Sequence, residues 1–169
     1  MNKINCIIPF RESFLDYPCP ESSCISIYFI GCEHNCSGCS NPQFQDINYK
    51  DRNTAIIGAD YLLNFLKRYH TKNITLLGGD CCHPKNIDFT KELLIKNKEF
   101  NICIYTGYSI DYIKQNDVKG FKFIKCGKYI SSLKQISEKT DDYMTFASTN
   151  QILYDSNYNP LSIDGQYKF

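Results

Sequence analysis

Residues 24–30 read Cys-Ile-Ser-Ile-Tyr-Phe-Ile, and a long polar segment follows them, beginning at Gly31 and Cys32. The β-branched and aromatic side chains of residues 24–30 predict a buried strand that ends at Gly31. Residues 32–52 are rich in Asn, Ser, Gly, Pro and Asp, and show no apolar period. A loop of this length inside a compact domain usually serves a function. The two segments together predict a strand that carries a functional loop at its carboxyl end.

Strands and helices are predicted to alternate along the rest of the chain. Asn53 is a suitable N-cap for a helix that continues to about Tyr69, with apolar residues at steps of three and four. The predicted elements that follow are strand 74–77, helix 87–96, strand 102–105, helix 110–115, strand 121–124 and two weaker strands at 144–147 and 152–154.

This alternation is typical of α/β proteins built from parallel βα units. Right-handed crossovers curl such a sheet and gather the loops at the carboxyl ends of its strands. Because five or so units are too few for an eight-stranded barrel, we expect a partial TIM-like βα barrel with about five parallel strands and an open active-site face. Since no linker interrupts the chain, we expect residues 1–169 to form a single domain.

Composition limits the classes of function. The chain has 19 Lys and Arg residues against 18 Asp and Glu, so its formal net charge of +1 gives no general attraction to nucleic acid or anionic membranes. Lys119, Lys122, Lys125 and Lys128 are interpreted as the solvated side of a strand. Residues 1–14 lack the apolar core of a signal peptide, and no segment approaches the roughly 20 apolar residues of a membrane span. We therefore expect a cytoplasmic protein with neither a nucleic-acid nor a membrane partner, whose ten cysteines stay reduced.

Three of these cysteines, Cys32, Cys36 and Cys39, form a C-x3-C-x2-C motif in the polar loop. Gly38 and Pro42 suit a backbone that coils back on itself, so that the three thiols can surround one metal centre. Thiolates are the usual ligands of iron–sulfur clusters. Three thiolates on a four-iron cluster leave one iron open to an outside ligand, much as a catalytic metal keeps a free position. The motif therefore predicts a reactive metal centre.

Two other interpretations of the motif remain open. The three cysteines fit one face of a helix and could be packing residues, although the loop composition and Pro42 disfavour a helix there. Alternatively, Cys32, His34, Cys36 and Cys39 could form a structural Cys3His zinc site in a binding module without catalysis. The ring of His34 would have difficulty turning inward between two neighbouring ligands.

Several separate segments carry a resemblance to a known family. These segments are Asp16-Tyr17-Pro18, Phe29-Ile30-Gly31-Cys32, Gly38, Asn41-Pro42, Gly78-Gly79-Asp80, His83-Pro84-Lys85-Asn86, Tyr105-Thr106-Gly107-Tyr108 and Ser148-Thr149-Asn150-Gln151. With them the chain resembles the radical S-adenosylmethionine enzymes, and within these the activating proteins of the anaerobic ribonucleotide reductase. It departs from the family pattern at Ser40, at Cys81-Cys82 and at Cys126-Gly127.

The resemblance implies a [4Fe–4S] cluster on Cys32, Cys36 and Cys39, with S-adenosylmethionine at the open iron. It implies that the cofactor-binding residues are Gly38, Cys39, Ser40, Gly78, Gly79, Asp80, Thr106 and Gly107. Glycines at a strand end allow a close approach of the backbone to a ligand. Asp80 could bind the cofactor or cap the segment that follows it, and Thr106-Gly107 could bind the cofactor or form a turn.

The implied activity is that of an iron–sulfur oxidoreductase. A one-electron donor such as a flavodoxin would reduce the cluster, and reductive cleavage of S-adenosylmethionine would install a glycyl radical on the large subunit of an anaerobic ribonucleotide reductase. No side chain is assigned a catalytic role, because the cluster and the cofactor carry the chemistry. The alternatives are activation of another glycyl-radical enzyme and the zinc-binding module.

Overall fold

The computed structural model describes residues 2–169, and Met1 lies outside the described part. The strands are β1 (Lys3–Ile7), β2 (Arg11–Ser13), β3 (Cys24–Phe29), β4 (Thr54–Gly58), β5 (Asn73–Gly78), β6 (Asn101–Tyr105), β7 (Phe123–Cys126), β8 (Tyr143–Thr145), β9 (Ile152–Asp155) and β10 (Gln166–Lys168). The α-helices are α1 (Ala59–Leu66), α2 (Ile87–Lys96) and α3 (Ile110–Gln115), and short 3-10 helices span Pro42–Gln45 and Ser131–Leu133.

The main sheet has a parallel centre and antiparallel edges. Its strand order is β4-β1-β3-β5-β6-β7-β9, and β2 also pairs with β3. Parallel pairing joins β3 to β5, β5 to β6, and β6 to β7, whereas β1, β2, β4 and β9 pair antiparallel with their neighbours. The protein is therefore a mixed α/β fold with a largely parallel central sheet.

The sequence predicts about five parallel strands, but only four, β3, β5, β6 and β7, run parallel to one another. The next strand of the sheet, β9, runs antiparallel to β7. A parallel connection needs a crossover of a dozen or more residues, usually a helix, to return the chain to the starting edge. Residues 127–151 contain one 3-10 turn and β8 but no α-helix, and they bring the chain back in the opposite direction. Strand β8 pairs with β10 in a separate two-stranded sheet.

The two faces of the central sheet are covered differently. On one face, Ile27 of β3 and Leu76 of β5 belong to the same apolar cluster as buried residues of all three helices, including Leu62, Leu93 and Ile113. On the other face, Cys24 and Cys103 pack against Tyr17 from the N-terminal segment, and Tyr105 and Phe123 contact Met144 and Phe146 from the C-terminal segment. Because both faces are covered, the central strands carry nearly continuous apolar runs.

The helix predicted from Asn53 begins later than expected. Residues 54–58 form β4, which pairs with β1 along its whole length, from Thr54 opposite Ile7 to Gly58 opposite Lys3. The helix starts only at Ala59, and Gly58 provides no side-chain cap. The β-branched residues of this segment suit a strand once a partner is present. That partner lies about fifty positions away in the sequence, so the local pattern does not reveal it.

Most other predicted elements are confirmed. The strand 24–30, the helices 87–96 and 110–115, and the strands near 75, 103 and 153 lie where the sequence predicts them. Strand β7 is displaced by two residues from the predicted 121–124. The polar loop contains no α-helix, so the interpretation of the three cysteines as one helix face is wrong. Within residues 2–169, no helix is both long and apolar enough to cross a membrane.

The stability of the fold should depend strongly on the central strand β3. Ile27 is completely buried there, whereas Ile56 on the edge strand β4 is 62% exposed. Replacing Ile27 with alanine removes buried methyl groups and leaves a cavity, so we expect a loss of about 2–5 kcal/mol in the free energy of unfolding. The matched variant Ile56→Ala should lose less than about 1 kcal/mol. Urea denaturation of both variants measures the difference, and equal losses would contradict the assigned core.

Candidate metal and cofactor site

The polar loop leaves the sheet at the carboxyl end of β3, and residues 31–42 are called the cluster loop below. Its first residues are tied to the 3-10 turn, since the Gly31 amide donates to the Phe44 carbonyl at 2.7 Å and the Cys32 amide to the Gln45 carbonyl at 3.1 Å. The amide of Asp80, just after β5, donates to the Gly31 carbonyl at 2.7 Å. The base of the loop is therefore fixed between two segments of ordered backbone.

The three motif cysteines carry free, half-buried thiols that line the same cavity. The Cys39 amide donates to the Cys36 carbonyl at 3.2 Å, and Gly38 between them has φ +77°, a conformation that favours glycine. The Asn41 amide points at Cys39 Sγ at 3.4 Å. An N–H group directed at a cysteine sulfur is a common feature of iron–sulfur sites, where it tunes the thiolate. Burial raises the pKa of the Cys32 thiol to about 11, so a bound metal has to displace its proton.

The arrangement of ligand atoms disfavours the predicted Cys3His zinc site. Ligands of a tetrahedral zinc ion lie about 2.0–2.3 Å from the metal, and so within roughly 4 Å of one another. Among residues 2–169, the ligand atoms of Cys32, His34 and Asp80 lie within 4.8 Å of one another, but Cys36 and Cys39 belong to no such group. As placed, the three thiols and His34 therefore do not form the compact group that a single zinc ion would require.

The glycines at the end of β5 are needed to bring the cluster loop close. A Cβ atom on Gly79 would lie 2.7 Å from the Gly31 carbonyl oxygen and 2.8 Å from that of Phe44. Gly78 has φ +104°, and a Cβ there would lie 2.8 Å from the amide nitrogen of Phe29. The sequence predicts that these glycines admit a ligand, and the structure supplies a second reason, which is contact with the protein's own backbone.

Asp80 is almost completely buried and accepts hydrogen bonds from four donors. The Cys82 amide donates to Oδ1 at 2.8 Å and the Gly107 amide to Oδ2 at 2.8 Å, while the Thr106 hydroxyl lies 2.9 and 3.0 Å from the two oxygens. His34 Nε2 lies 2.9 Å from Oδ2. A carboxylate offers about four lone-pair sites. Since four donors occupy them, the contacts favour the capping interpretation of Asp80 over direct binding of a cofactor.

A second set of contacts joins the cluster loop to the segment after β6. The His34 ring lies so close to Gly107 that a Cβ atom on this glycine would overlap the ring. The centroids of the His34 and Tyr108 rings are 4.4 Å apart. The Tyr108 hydroxyl donates to Glu33 Oε1 at 2.5 Å. His34 and Glu33 thus hold the loop against the Thr106-Gly107-Tyr108 turn, which agrees with a structural role for that turn.

The carboxyl ends of the parallel strands form one cavity with the cluster loop. Of the residues predicted to bind the cluster or S-adenosylmethionine, those in the cavity wall are Cys32, Cys36, Cys39, Ser40, Gly78, Gly79, Asp80, Thr106 and Gly107. Gly38 is not in the wall and lies near the ring of Tyr129 instead. A Cβ atom placed on Gly38 would lie 3.5 Å from Cε1 of Tyr129. The wall also contains residues that the sequence did not single out for this role, namely His34, Asn41, Gln45, Leu77, Tyr105, Lys125, Gly127, Lys128, Tyr129, Ala147 and Gln151.

Part of this missed set follows a rule that could have been applied. Gly127, Lys128 and Tyr129 come directly after β7, and residues at the carboxyl ends of parallel strands meet at the same edge of a sheet. Gln151 belongs to the Ser-Thr-Asn-Gln segment, and its Nε2 donates to the Gly127 carbonyl at 3.1 Å. No local signal marks Lys125, which was interpreted as solvated but is half-buried in the cavity wall.

Six of the remaining seven cysteines are buried, four of them within residues 81–126. Cys81, Cys82 and Cys103 have no exposed surface, and Cys126 is 4% exposed. Burial raises the pKa of the Cys81, Cys103 and Cys126 thiols well above its ordinary value. Such thiols behave as small apolar groups.

Changing Asp80 to asparagine should weaken the whole attachment of the loop. The asparagine oxygen can still accept from the Cys82 amide and the Thr106 hydroxyl, but the amide nitrogen takes the place of Oδ2 and leaves the Gly107 amide without an acceptor. We expect the free energy of unfolding to fall by about 1–3 kcal/mol and amide hydrogen exchange at Gly107 to accelerate. The control Asp141→Asn changes an exposed carboxylate and should shift stability by less than about 0.5 kcal/mol. If both variants behaved alike, the network around Asp80 would not support the site.

Comparison with known proteins gives a consistent result. Residues 22–154 match the model of the 4Fe-4S single cluster domain. A protein of Escherichia coli (strain K12) named anaerobic ribonucleoside-triphosphate reductase-activating protein is 26% identical over 144 residues, covering 80% of this chain and 89% of its own length. The protein of the same name from Enterobacteria phage T4 is 28% identical over 150 residues, with coverage of 80% and 94%. That from Haemophilus influenzae is 25% identical over 145 residues, with coverage of 79% and 88%.

One solved structure is partly similar. QueE from Escherichia coli superposes with a TM-score of 0.45 at 19% identity, covering 62% of this chain and 53% of that one, which is too partial to carry an argument. The sequence matches confirm the resemblance that the motifs predicted. From its matched residues and its three-cysteine loop, the chain belongs to the 4Fe-4S single cluster domain family.

Proposed function

We propose that this protein is a radical S-adenosylmethionine enzyme that activates an anaerobic ribonucleotide reductase by installing a glycyl radical on its large subunit. The observation that carries the proposal is the single cavity in which three free thiols face the carboxyl ends of the parallel strands. The names of the relatives from Escherichia coli and phage T4 support the choice of the reductase.

In this proposal Cys32, Cys36 and Cys39 hold a [4Fe–4S] cluster and leave one iron for the amino and carboxylate groups of S-adenosylmethionine. A cluster held by these cysteines would supply the electron for reductive cleavage of S-adenosylmethionine, the chemistry from which a glycyl radical on the reductase would follow. The protein's own part is to orient the cofactors and to exclude competing reactions.

The remaining predicted residues have separate tasks in the proposal. Backbone atoms of Cys39 and Ser40 would pass the adenine, and Gly38, which lies outside the wall, would supply the turn that places them there. The carbonyl groups of Gly78 and Gly79 would accept from the methionine ammonium. Asp80, Thr106 and Gly107 hold the cluster loop and the wall of the cavity in place through their mutual hydrogen bonds. Their contribution to the cofactor is then the shape of the cavity, because their hydrogen-bonding groups are already paired.

We also propose that the central strands form a partial βα barrel within a single domain of residues 1–169, and that its open face receives a loop of the reductase. Helices cover one face of the sheet, while the other face carries the cavity and is covered only by extended segments. A one-electron donor such as a flavodoxin and a cytoplasmic location complete the proposal.

Cluster retention distinguishes the ligand cysteines from the buried ones. After anaerobic reconstitution, the wild-type protein should contain one four-iron cluster per chain, measured as iron, sulfide and the EPR signal of the reduced form. Alanine at Cys32 or Cys36 should abolish retention because two thiolates do not hold the cluster. Alanine at Cys103 or Cys126, which lie in the apolar interior, should leave the iron content unchanged. If a fourth cysteine were also required for cluster retention, no iron would remain free for S-adenosylmethionine, and the radical mechanism would be contradicted.

The activation itself is tested with the cognate reductase. The reduced, cluster-loaded protein with S-adenosylmethionine should generate a doublet EPR signal on the reductase, together with 5′-deoxyadenosine. The variant Cys36→Ala should produce neither, while Cys126→Ala should produce both. If the wild-type protein cleaves S-adenosylmethionine but never radicalises the reductase, the assignment to this partner fails, and other glycyl-radical enzymes become the candidates.

A further inference from the structure

The strand β4 forms one edge of the main sheet. It stands at the end of the strand order, and among residues 2–169 its strand partner is β1 alone. The Asn5 carbonyl accepts from the Ile30 amide at 3.0 Å, so Asn5 directs its polar backbone groups toward β3. Ile56 lies opposite Asn5, and opposite residues in an antiparallel pair either bond to each other or both face away. The backbone amide and carbonyl of Ile56 therefore point outward, away from the sheet.

This edge lacks the features that usually prevent pairing with another chain. Exposed edge strands are commonly protected by charged side chains, by proline or by a bulge. Residues 54–58 contain neither a charge nor a proline. Their register with β1 is regular over all five positions. The Ile56 side chain is also 62% exposed. The edge can therefore accept one more strand without rearrangement.

An apolar groove of about 340 Å³ runs beside this edge. Ala55 and Ile57 of β4 line it together with Phe10 and with Tyr61 and Phe65 of α1. The rings of Tyr61 and Phe65 are stacked with centroids 6.1 Å apart, and Phe10 meets Phe65 edge-on at 5.4 Å. Aromatic side chains offer a large apolar contact area. A strand added beside β4 can therefore place an apolar side chain against these rings.

Two arginines without carboxylate partners border the groove. Arg52 lines it, and the Arg68 guanidinium lies 5.0 Å from the centroid of the Phe65 ring. Among residues 2–169, neither arginine takes part in an ion pair. The Asp51 carboxylate next to Arg52 accepts from the Asn53 amide at 2.7 Å instead. The groove thus combines apolar surface with free guanidinium groups, which bind carboxylates in a bidentate manner.

The groove and the proposed cofactor cavity lie at opposite ends of the sheet. Because β1 runs antiparallel to both β3 and β4, the last two strands run in the same direction. The cavity lies at the carboxyl end of β3, whereas Arg52 and Asn53 precede the amino end of β4. The two sites have no lining residue in common. A molecule bound in the groove therefore leaves the cavity open.

We infer that β4 and this groove bind an extended segment of a partner protein, in which carboxylates stand two positions before and after an apolar residue. The segment joins the sheet as a further strand and pairs with the outward backbone groups of Ile56. Its apolar side chain enters the groove, and a carboxylate on the same face meets Arg52. A second copy of this chain fits less well, because its own β4 is uncharged and would leave both arginines without partners. The inference goes beyond the proposed function and does not depend on it.

Synthetic peptides test the inference by calorimetry on the purified full chain. The probe is acetyl-Thr-Glu-Val-Phe-Val-Glu-Thr-amide, whose two carboxylates and phenyl ring share one face of a strand. It should bind ~10-fold or more tightly than the same peptide with lysine in place of glutamate. Methylation of two successive central amide nitrogens should weaken it ~10-fold, because one of them has to pair with β4.

Variants of the protein locate the binding. Arg52→Glu reverses a charge at the groove and should weaken the acidic peptide ~10-fold. The control Lys122→Glu reverses an exposed charge that precedes β7 and should leave the affinity within about twofold. Bound peptide should slow amide hydrogen exchange at Ile56, whose amide points outward, and leave Ile57 unchanged, since its amide faces β1.

The other outcomes overturn the inference. Absence of binding, equal binding of the acidic and basic peptides, or unchanged exchange at Ile56 would show that the edge does not take such a segment. Sedimentation tests the competing occupant. If the wild-type protein is a dimer that Ile56→Lys converts to a monomer, the edge belongs to a second copy of this chain, and the inference is wrong.

Discussion

The close contact between the end of β5 and the start of the cluster loop determines where the three motif thiols lie. The backbone of Gly79 touches that of Gly31 and Phe44 at distances that leave no room for a Cβ atom. The carbonyl of Gly31 accepts from the amide of Asp80, and the buried Asn86 side chain donates to the carbonyls of Ile30 and Asp80, both at 2.9 Å. The loop itself has little regular structure, so its shape is imposed by these neighbours.

The Asp80 carboxylate extends the same constraint to β6. It holds the amide and hydroxyl groups that follow this strand, and it also lies within hydrogen-bond distance of His34 in the cluster loop. One buried charge thus connects three segments that are far apart in the sequence. A buried carboxylate is tolerated only when its hydrogen-bonding capacity is filled, which explains why its surroundings are rich in backbone amides.

Local patterns predict the grouping of the three motif cysteines and the central strands well, and long-range contacts less well. The spacing of Cys32, Cys36 and Cys39 and the apolar run of β3 are properties of short segments, and the structure agrees with both. The prediction that a helix begins at Asn53 was wrong because the residues that follow Asn53 pair with the distant strand β1. The prediction that Lys125 is solvated was wrong for a related reason. Its position on a strand does not reveal that the C-terminal segment covers that face of the sheet.

The cavity wall is assembled from segments that leave the ribosome at different times. The cluster loop and its anchors are complete at about residue 107, whereas Ala147 and Gln151 close the other side. At translation rates of about 5–20 residues per second, roughly 2–9 seconds separate the two events. During that interval the three motif cysteines have been synthesised, but the C-terminal side of the cavity wall has not. Nascent chains are therefore more open to oxidants and to adventitious metal ions than the finished protein, and the order of synthesis gives iron–sulfur assembly factors an early point of access to the loop.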